Sequence, residues 1–202
     1  ESATKIYSLN NGNFIKYIKN SNHNKINYLL PWNNKKNNKY YIIQLAEEKI
    51  IINNFIEDDY ELYSELINKP YDEPDVCHLS GFIYNIDNND YLCTSSTNGY
   101  INIWDLYNKI IFKVINTKTN ANIHKCHLFH VIQWNINYII VAELENSCFK
   151  IINLENEDIK DINDIREDDM GFICIKKIYH PEYGESLLTA SCSNKIKLWS
   201  IY

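Results

Sequence analysis

Runs of alternating hydrophobic and polar residues, each preceded by a turn signal, recur along this chain. In residues 100–106, Ile101 and Ile103 fall on one side of an extended strand and Trp104 on the other. The Asn98-Gly99 pair before this run is expected to supply the two positive-φ residues of a tight hairpin turn. The pattern therefore predicts antiparallel strands joined by hairpins.

The pattern repeats at a regular spacing. The predicted strand ends lie 45, 52, 48 and 47 residues apart, at Tyr7-Ser8, Ile52-Asn53, Trp104-Asp105, Ile152-Asn153 and Trp199-Ser200. A second marker, Cys-His-Leu, occurs at 77–79 and again 49 residues later at 126–128. Such a period indicates a repeat architecture in which neighbouring copies bury one another's faces.

Residues 91–106 and 179–201 resemble the WD-repeat β-propeller family, whose copies end in Trp-Asp and fold as blades around an axis. At 26–56 and 125–154 the resemblance rests mainly on spacing. It implies an all-β fold, a β-propeller of four-stranded antiparallel WD-type blades, in one region over 1–202. The expected divisions are a partial blade at 1–20, blades at 21–67, 76–116 and 124–162, and an incomplete last blade at 170–202.

These blades are too few for the usual closed ring, so we expect them to belong to a larger ring of about seven blades. The first residues resemble the middle of a blade and show no signal-peptide pattern. A small closed ring of four or five blades is the alternative.

The resemblance also implies a set of structural residues. In the family a Gly-His pair opens the repeat, and its His hydrogen-bonds through a strand Ser or Thr to the Trp, with a turn Asp completing the network. No Gly-His pair occurs here. By register the structural signature is expected at Trp104, Asp105, Trp199, Ser200, His78, His127, Thr94 and Thr189, with Asn98 or Ser193 in place of the turn Asp.

Composition limits the class of protein. The chain has 202 residues, is 45% hydrophobic and carries a net charge of −6, which is enough apolar material for a large core. No apolar run is long enough for a transmembrane helix, so membrane insertion is not expected. The six cysteines lie in or beside predicted strands, which favours reduced thiols and an intracellular location, cytoplasmic or nuclear.

Acidic residues concentrate in segments that we assign to connections between blades. One such segment is 57–65, with the tyrosines Tyr60 and Tyr63 among its acids, and 161–169 is another. We expect them to attract a basic peptide or another basic protein partner; the alternative is that they only keep the protein soluble. The predicted partner-binding residues are Glu57, Asp58, Asp59, Tyr60, Glu61, Tyr63, Asp72, Glu73, Asp75, Asp164, Glu167, Asp168 and Asp169.

Two other kinds of site are weaker candidates. Four potential zinc ligands, His124, Cys126, His127 and His130, lie close together, but strand alternation sends His127 to the opposite face and no second ligand pair follows, so no metal is expected. The lysines of 33–39 fit a solvated loop better than a nucleic-acid contact at this net charge. We therefore expect no bound metal and no nucleic acid.

Enzyme signatures are absent from the sequence: it has no phosphate-binding glycine loop and no nucleophile elbow, and Gly184-Glu185-Ser186 lies in a predicted hairpin. Trp32 and Trp134 end predicted first strands and could either pack between blades or contact a peptide. We expect a non-catalytic protein-interaction scaffold without cofactors. The alternatives are a phosphoinositide-binding propeller, disfavoured because Arg166 is the single arginine, and a propeller enzyme.

Overall fold

The computed structural model describes residues 3–19, 25–46, 49–54, 62–67, 77–117, 129–143, 149–162, 172–191 and 194–200. All regular structure within these ranges is β-strand. The strands are β1 (Ala3–Tyr7), β2 (Phe14–Lys19), β3 (Ile26–Asn34), β4 (Lys39–Ala46), β5 (Lys49–Asn54), β6 (Leu62–Ile67), β7 (His78–Ile86), β8 (Asn89–Ser96), β9 (Tyr100–Asp105), β10 (Ile110–Asn116), β11 (Phe129–Gln133), β12 (Tyr138–Glu143), β13 (Phe149–Asn153), β14 (Ile159–Ile162), β15 (Phe172–His180), β16 (Gly184–Ser191) and β17 (Ile196–Ser200).

The strands form a two-stranded hairpin, β1-β2, followed by four sheets. We call them sheet I (β3-β4-β5-β6), sheet II (β7-β8-β9-β10), sheet III (β11-β12-β13-β14) and sheet IV (β15-β16-β17). Every pairing is antiparallel and joins strands that are consecutive in sequence. The predicted all-β, antiparallel architecture is confirmed.

Consecutive sheets pack against each other mainly through their first strands: β3 lies against β7, β7 against β11, and β11 against β15. This arrangement is consistent with successive blades of a β-propeller, in which the first strand of each blade lies nearest the axis. Within the described residues the β1-β2 hairpin does not pack on sheet IV, so these sheets do not close a ring.

The core lies between the sheets. Between sheets I and II it contains Trp32, Ile43 and Ile52 from one side and Leu92 and Trp104 from the other. Similar clusters lie between sheets II and III and between sheets III and IV. Each sheet therefore buries its apolar residues against its neighbours, as the repeat pattern predicted.

Gly81 is needed for the close approach of sheets I and II. A Cβ at this position would lie 2.6 Å from the Cys93 carbonyl oxygen and 3.3 Å from Leu45 Cδ1. The first distance is inside the van der Waals limit and involves backbone, which cannot move as a side chain can. Any larger residue would thus displace β8 or separate the two sheets.

The structure corrects two details of the sequence interpretation. The turn between β8 and β9 spans residues 97–99, and only Gly99 in it has a positive φ, of 81°, so the Asn98-Gly99 pair is not a two-residue hairpin turn. In sheet I, Ile52 faces sheet II, whereas Trp104 faces back toward sheet I. Ile52 thus points to the following sheet and Trp104 to the preceding one. Asn53, one residue after Ile52, lies on the face of sheet I that corresponds to the Trp104 face of sheet II.

Candidate functional site

The predicted partner-binding residues fall almost entirely outside the described residues. This holds for Glu57, Asp58, Asp59, Tyr60, Glu61, Asp72, Glu73, Asp75, Asp164, Glu167, Asp168 and Asp169, while Tyr63 belongs to β6 and only its backbone is described. The strands that flank them nevertheless determine where each segment begins and ends.

The assignment of 57–65 to a connection between blades was wrong. Residues 62–67 form β6, which pairs with β5 as the fourth strand of the same sheet. The acids at 57–61 therefore join β5 to β6 at the end of sheet I where Tyr41 pairs with Asn54. The segments that contain Asp72 and Asp164 follow fourth strands and start at the opposite end, because adjacent strands run antiparallel.

Asp161 is also a strand residue and not part of a connection. It lies in β14, and its carboxylate accepts a hydrogen bond of 2.8 Å from Lys150 Nζ on β13. The Lys150 side chain is only 8% exposed, so the charge of Asp161 neutralises a largely buried lysine. This acid therefore serves the stability of sheet III.

The tryptophans of the repeat signature occupy equivalent positions in sheets II and IV. Trp104 Nε1 donates to Thr94 Oγ1 at 3.1 Å, and Trp199 Nε1 donates to Thr189 Oγ1 at 2.9 Å. In both sheets the donor lies on the third strand and the acceptor on the second, with the same pairing register. The two hydrogen bonds satisfy indole N–H groups that face the neighbouring sheet.

His78 does not make the hydrogen bond to a strand hydroxyl that the family resemblance implies. Its ring packs edge-on against Trp104 with 5.8 Å between centroids, and neither ring nitrogen has a hydrogen-bond partner. The reason is register: His78 lies opposite Ser96, whereas Thr94 lies opposite Gly81. Burial lowers the pKa of His78 to about 4, so the imidazole is neutral at physiological pH.

Two asparagines within residues 97–105 are also incompletely paired. Asn98 Oδ1 accepts from Ser96 Oγ at 2.6 Å, but its amide nitrogen lacks a partner, as do both amide atoms of the fully buried Asn102. His127 and Ser193, the other expected members of the network, lie outside the described residues. The described part of sheet II thus holds the Trp–Thr pair without the histidine relay.

Asp105 and Ser200, the residues after the two tryptophans, have local roles. Asp105 accepts from the backbone N–H groups of Tyr107 and Asn108, both at 2.9 Å, and so caps the turn between β9 and β10. Ser200 is exposed and pairs with Ser186. Ser186 is buried, and its hydroxyl donates to the Gly184 carbonyl at 3.1 Å.

A group of hydrogen bonds to Asp90 links sheets I and II, and the sequence analysis did not predict it. Asp90 accepts hydrogen bonds from Trp32 Nε1 at 3.0 Å, from Tyr107 Oη at 2.6 Å and from Asn85 Nδ2 at 2.9 Å. Burial raises the pKa of Asp90, but these hydrogen bonds lower it by more, and the net direction is downward. Trp32 is therefore a buried packing residue, which removes it as a peptide contact.

A related contact lies between sheets III and IV. Lys177 Nζ donates to the Trp134 carbonyl at 2.7 Å, lies 4.8 Å from the centre of the Trp134 ring, and pairs with Glu185 at 2.7 Å. By register Glu185 corresponds to Asp90, since Leu187 and Leu92 both pair with the signature tryptophans. The spacing between these acids and the tryptophans was the signal in the sequence that could have revealed both contacts.

Most of the candidate metal ligands lie outside the described residues. His124, Cys126 and His127 lie outside the described residues, and His130 is in β11 with only its backbone described. Among the described residues there is no group of three His, Cys, Asp or Glu side chains that could hold a metal ion. Within the same residues, no helix is long and apolar enough to cross a membrane.

Comparison with solved structures shows similarity at the level of the fold. A chain in "Chaetomium thermophilum Polycomb Repressive Complex 2 bound to GSK126" has a TM-score of 0.64 and 11% identity, with 92% of this chain covered. A chain in "Crystal structure of an active polycomb repressive complex 2 in the basal state" has a TM-score of 0.63 and 11% identity over 100% of this chain. In both cases this chain spans only 41% of the length of the other.

Searches by sequence gave no counterpart. No protein-family model matches the chain, and no curated protein matches it. The relationship is therefore carried by the three-dimensional arrangement of the sheets.

Proposed function

We propose that this chain forms part of a WD-type β-propeller that acts as a non-catalytic platform for protein–protein interaction within a multiprotein complex. The observation that carries the proposal is the fold similarity to chains from two Polycomb repressive complex 2 structures. The repeated Trp–Thr hydrogen bonds of sheets II and IV support the WD type. Such a platform needs no cofactor. We propose that it acts inside the cell, in the cytoplasm or nucleus.

The proposed partner is a protein that presents a basic segment. The segments with Asp72, Glu73 and Asp75 and with Asp164, Glu167, Asp168 and Asp169 both follow fourth strands, so they leave the sheets at the same end. Carboxylates on segments that begin at the same end of the sheets would attract lysine and arginine side chains and speed their encounter. The acids at 57–61 begin at the other end and are therefore tested separately.

Three variants test the role of charge, each replacing two Asp and two Glu by their amides. The first changes Asp72, Glu73, Asp164 and Glu167, and the second changes Glu57, Asp58, Asp59 and Glu61. The control changes Asp87, Glu155, Asp158 and Glu182, which are exposed in the structure. The three have the same net charge, so a difference between them reports position.

The measurements are the affinity for a fluorescent lysine- and arginine-rich peptide over a series of salt concentrations, and the amounts of proteins that co-purify from cell extract. We expect the first variant to lose at least about fivefold in peptide affinity at low salt, and less at high salt, because screening weakens the attraction. The control is expected to bind like the wild type. Equal losses in all three variants would show an effect of net charge alone, and no loss in any would refute the acidic end as a binding site.

A further inference from the structure

In three of the four sheets, the turn between the first and second strands is held by a side chain that accepts two backbone N–H groups. In sheet I, Asn34 Oδ1 accepts from the N–H groups two and three residues later, at 3.0 and 3.3 Å. In sheet III, Asn135 Oδ1 does the same at 2.9 and 3.0 Å. Sheet II differs, because its turn has only two residues, Asp87 and Asn88, both with positive φ.

In sheet IV a histidine takes the place of the asparagine. His180 Nδ1 accepts from the backbone N–H groups of Glu182 and Tyr183, at 3.2 and 3.3 Å, so the two donors again lie two and three residues later. The turn consists of residues 181–183 and is closed by the pairing of His180 with Gly184. The imidazole also stacks on the Tyr183 ring, with 4.7 Å between centroids and 19° between planes. His180 therefore holds both the backbone of this turn and the ring of Tyr183.

The chemistry of the two kinds of acceptor differs. The amide oxygen of an asparagine accepts hydrogen bonds in acid and in neutral solution, whereas an imidazole nitrogen accepts only while it carries no hydrogen. Since Nδ1 of His180 accepts two N–H groups, the neutral ring carries its hydrogen on Nε2. Protonation would place a hydrogen on Nδ1, so that it faces two other donors. Histidine changes its charge between about pH 5 and pH 8.

The other ionisable groups around this turn are of types that ordinarily change charge outside that pH range. Glu182 lies in the turn, and Glu185 on β16 pairs with Lys177 at 2.7 Å. Sheet III contacts β15 through β11 and β12. The ionisable residues of these two strands are His130, Tyr138 and Glu143. By register His130 and Glu143 lie at the opposite end of sheet III, so His180 is the histidine at this end among the described residues.

We propose that the turn of residues 181–183 is a pH-sensitive element of the protein surface, closed while His180 is neutral and opened when His180 gains a proton. The hydrogen bonds that close the turn are present at the higher pH and are lost as the pH falls. Tyr179 is 77% exposed and Tyr183 46% exposed, so opening the turn rearranges an exposed aromatic part of the surface. This inference does not depend on the proposed function.

The experiment is NMR of the intact protein from pH 8 to pH 5, which measures amide exchange with solvent and the titration of the histidine rings. The amides of Asn137 and Tyr138, which Asn135 holds in sheet III, are the internal reference for the intrinsic effect of pH on exchange. Relative to them, the amides of Glu182 and Tyr183 should lose protection at least about threefold at the acid end. This loss should follow the titration of the His180 ring. A constant ratio, or a loss in a different pH range, would overturn the proposal.

Two reciprocal substitutions separate His180 from its surroundings. His180→Asn introduces the residue that sheets I and III use, so we expect the turn to stay closed over the whole pH range. Asn135→His should transfer the loss of protection in acid to the amides of Asn137 and Tyr138, with those of Glu182 and Tyr183 then compared with the amides that Asn34 holds in sheet I. A pH response that persists in His180→Asn would assign it to another group and overturn the proposal. Asn135→His without a response would contradict the proposed mechanism.

Discussion

At the scale of single residues, Trp104 shows how the repeat signature contributes to stability. Its side chain is 1% exposed and packs in the cluster between sheets I and II, and its indole N–H donates a hydrogen bond to Thr94 Oγ1. Trp104→Ala should lower the free energy of unfolding by about 3–5 kcal/mol, since it removes a large buried side chain and leaves a cavity. Urea denaturation followed by circular dichroism measures this change.

Two controls separate packing from hydrogen bonding at this position. Thr94→Val should cost only about 1–3 kcal/mol, because it removes the acceptor and leaves the indole N–H unpaired but keeps the volume. Ile136→Ala, at a residue 60% exposed in the turn between β11 and β12, should change the free energy by less than about 0.5 kcal/mol. A loss under about 1 kcal/mol for Trp104→Ala would contradict the packing role.

The residue scale also shows what could be predicted from the sequence. The tryptophans and threonines could be aligned because they recur at a constant offset within a strand-turn-strand unit. The role of His78 could not, because a bulge in the pairing of β7 with β8, between His78 and Ser80, changes which residue lies opposite the histidine. Pattern alone does not reveal a bulge of this kind.

At the scale of the elements, sheets I and II are joined by the carboxylate of Asp90 as well as by apolar packing. Because the folded pKa of Asp90 lies below its ordinary value, the hydrogen-bonded carboxylate adds stability above the unfolded pKa of about 4. That contribution is lost as the pH falls through the folded pKa. The protein should therefore lose stability below about pH 4, in part through this residue.

Asp90→Asn tests this contribution. At pH 7 we expect a loss of about 1–3 kcal/mol, because the neutral amide makes weaker hydrogen bonds to Trp32 and Tyr107 and places an NH₂ group where a donor has no acceptor. Below about pH 4 the difference from wild type should shrink. Urea denaturation over a pH series measures both effects, with Asp87→Asn as the exposed control. A constant difference at all pH values would refute the titration of Asp90.

The sheets themselves were predictable because alternation and turn signals are local properties. Which face of each strand points to which neighbour was less so. In sheet I the sequence alignment selected Ile52 as the counterpart of Trp104, and the structure places Asn53 there, since a shift of one residue reverses every side chain of a strand. The hydrogen bond between Trp32 and Asp90 links residues 58 apart in sequence. The equal spacing of Asp90 and Glu185 from their tryptophans marks the acids as repeat positions, but it does not identify their partners in the preceding sheet.

At the scale of the whole molecule, a stack of sheets in which each contacts only its neighbours should not be uniformly stable. Nine buried residues form the cluster between sheets I and II, and five form the cluster between sheets III and IV. Sheet II is covered on both faces. In sheet IV the face that points away from sheet III keeps Ile196 and Leu198 exposed among the described residues. In this 202-residue chain, the inner strands of sheet II should be the last to open.

Hydrogen exchange measured by mass spectrometry tests this order. Amides of β8 and β9 should exchange at least about tenfold more slowly than amides of β16 paired to β17, although both groups are hydrogen-bonded in antiparallel ladders. Because the hydrogen bonding is alike, the difference reports how much packing must be broken to open each sheet. Equal exchange in the two sheets would show that the stack opens as one cooperative unit.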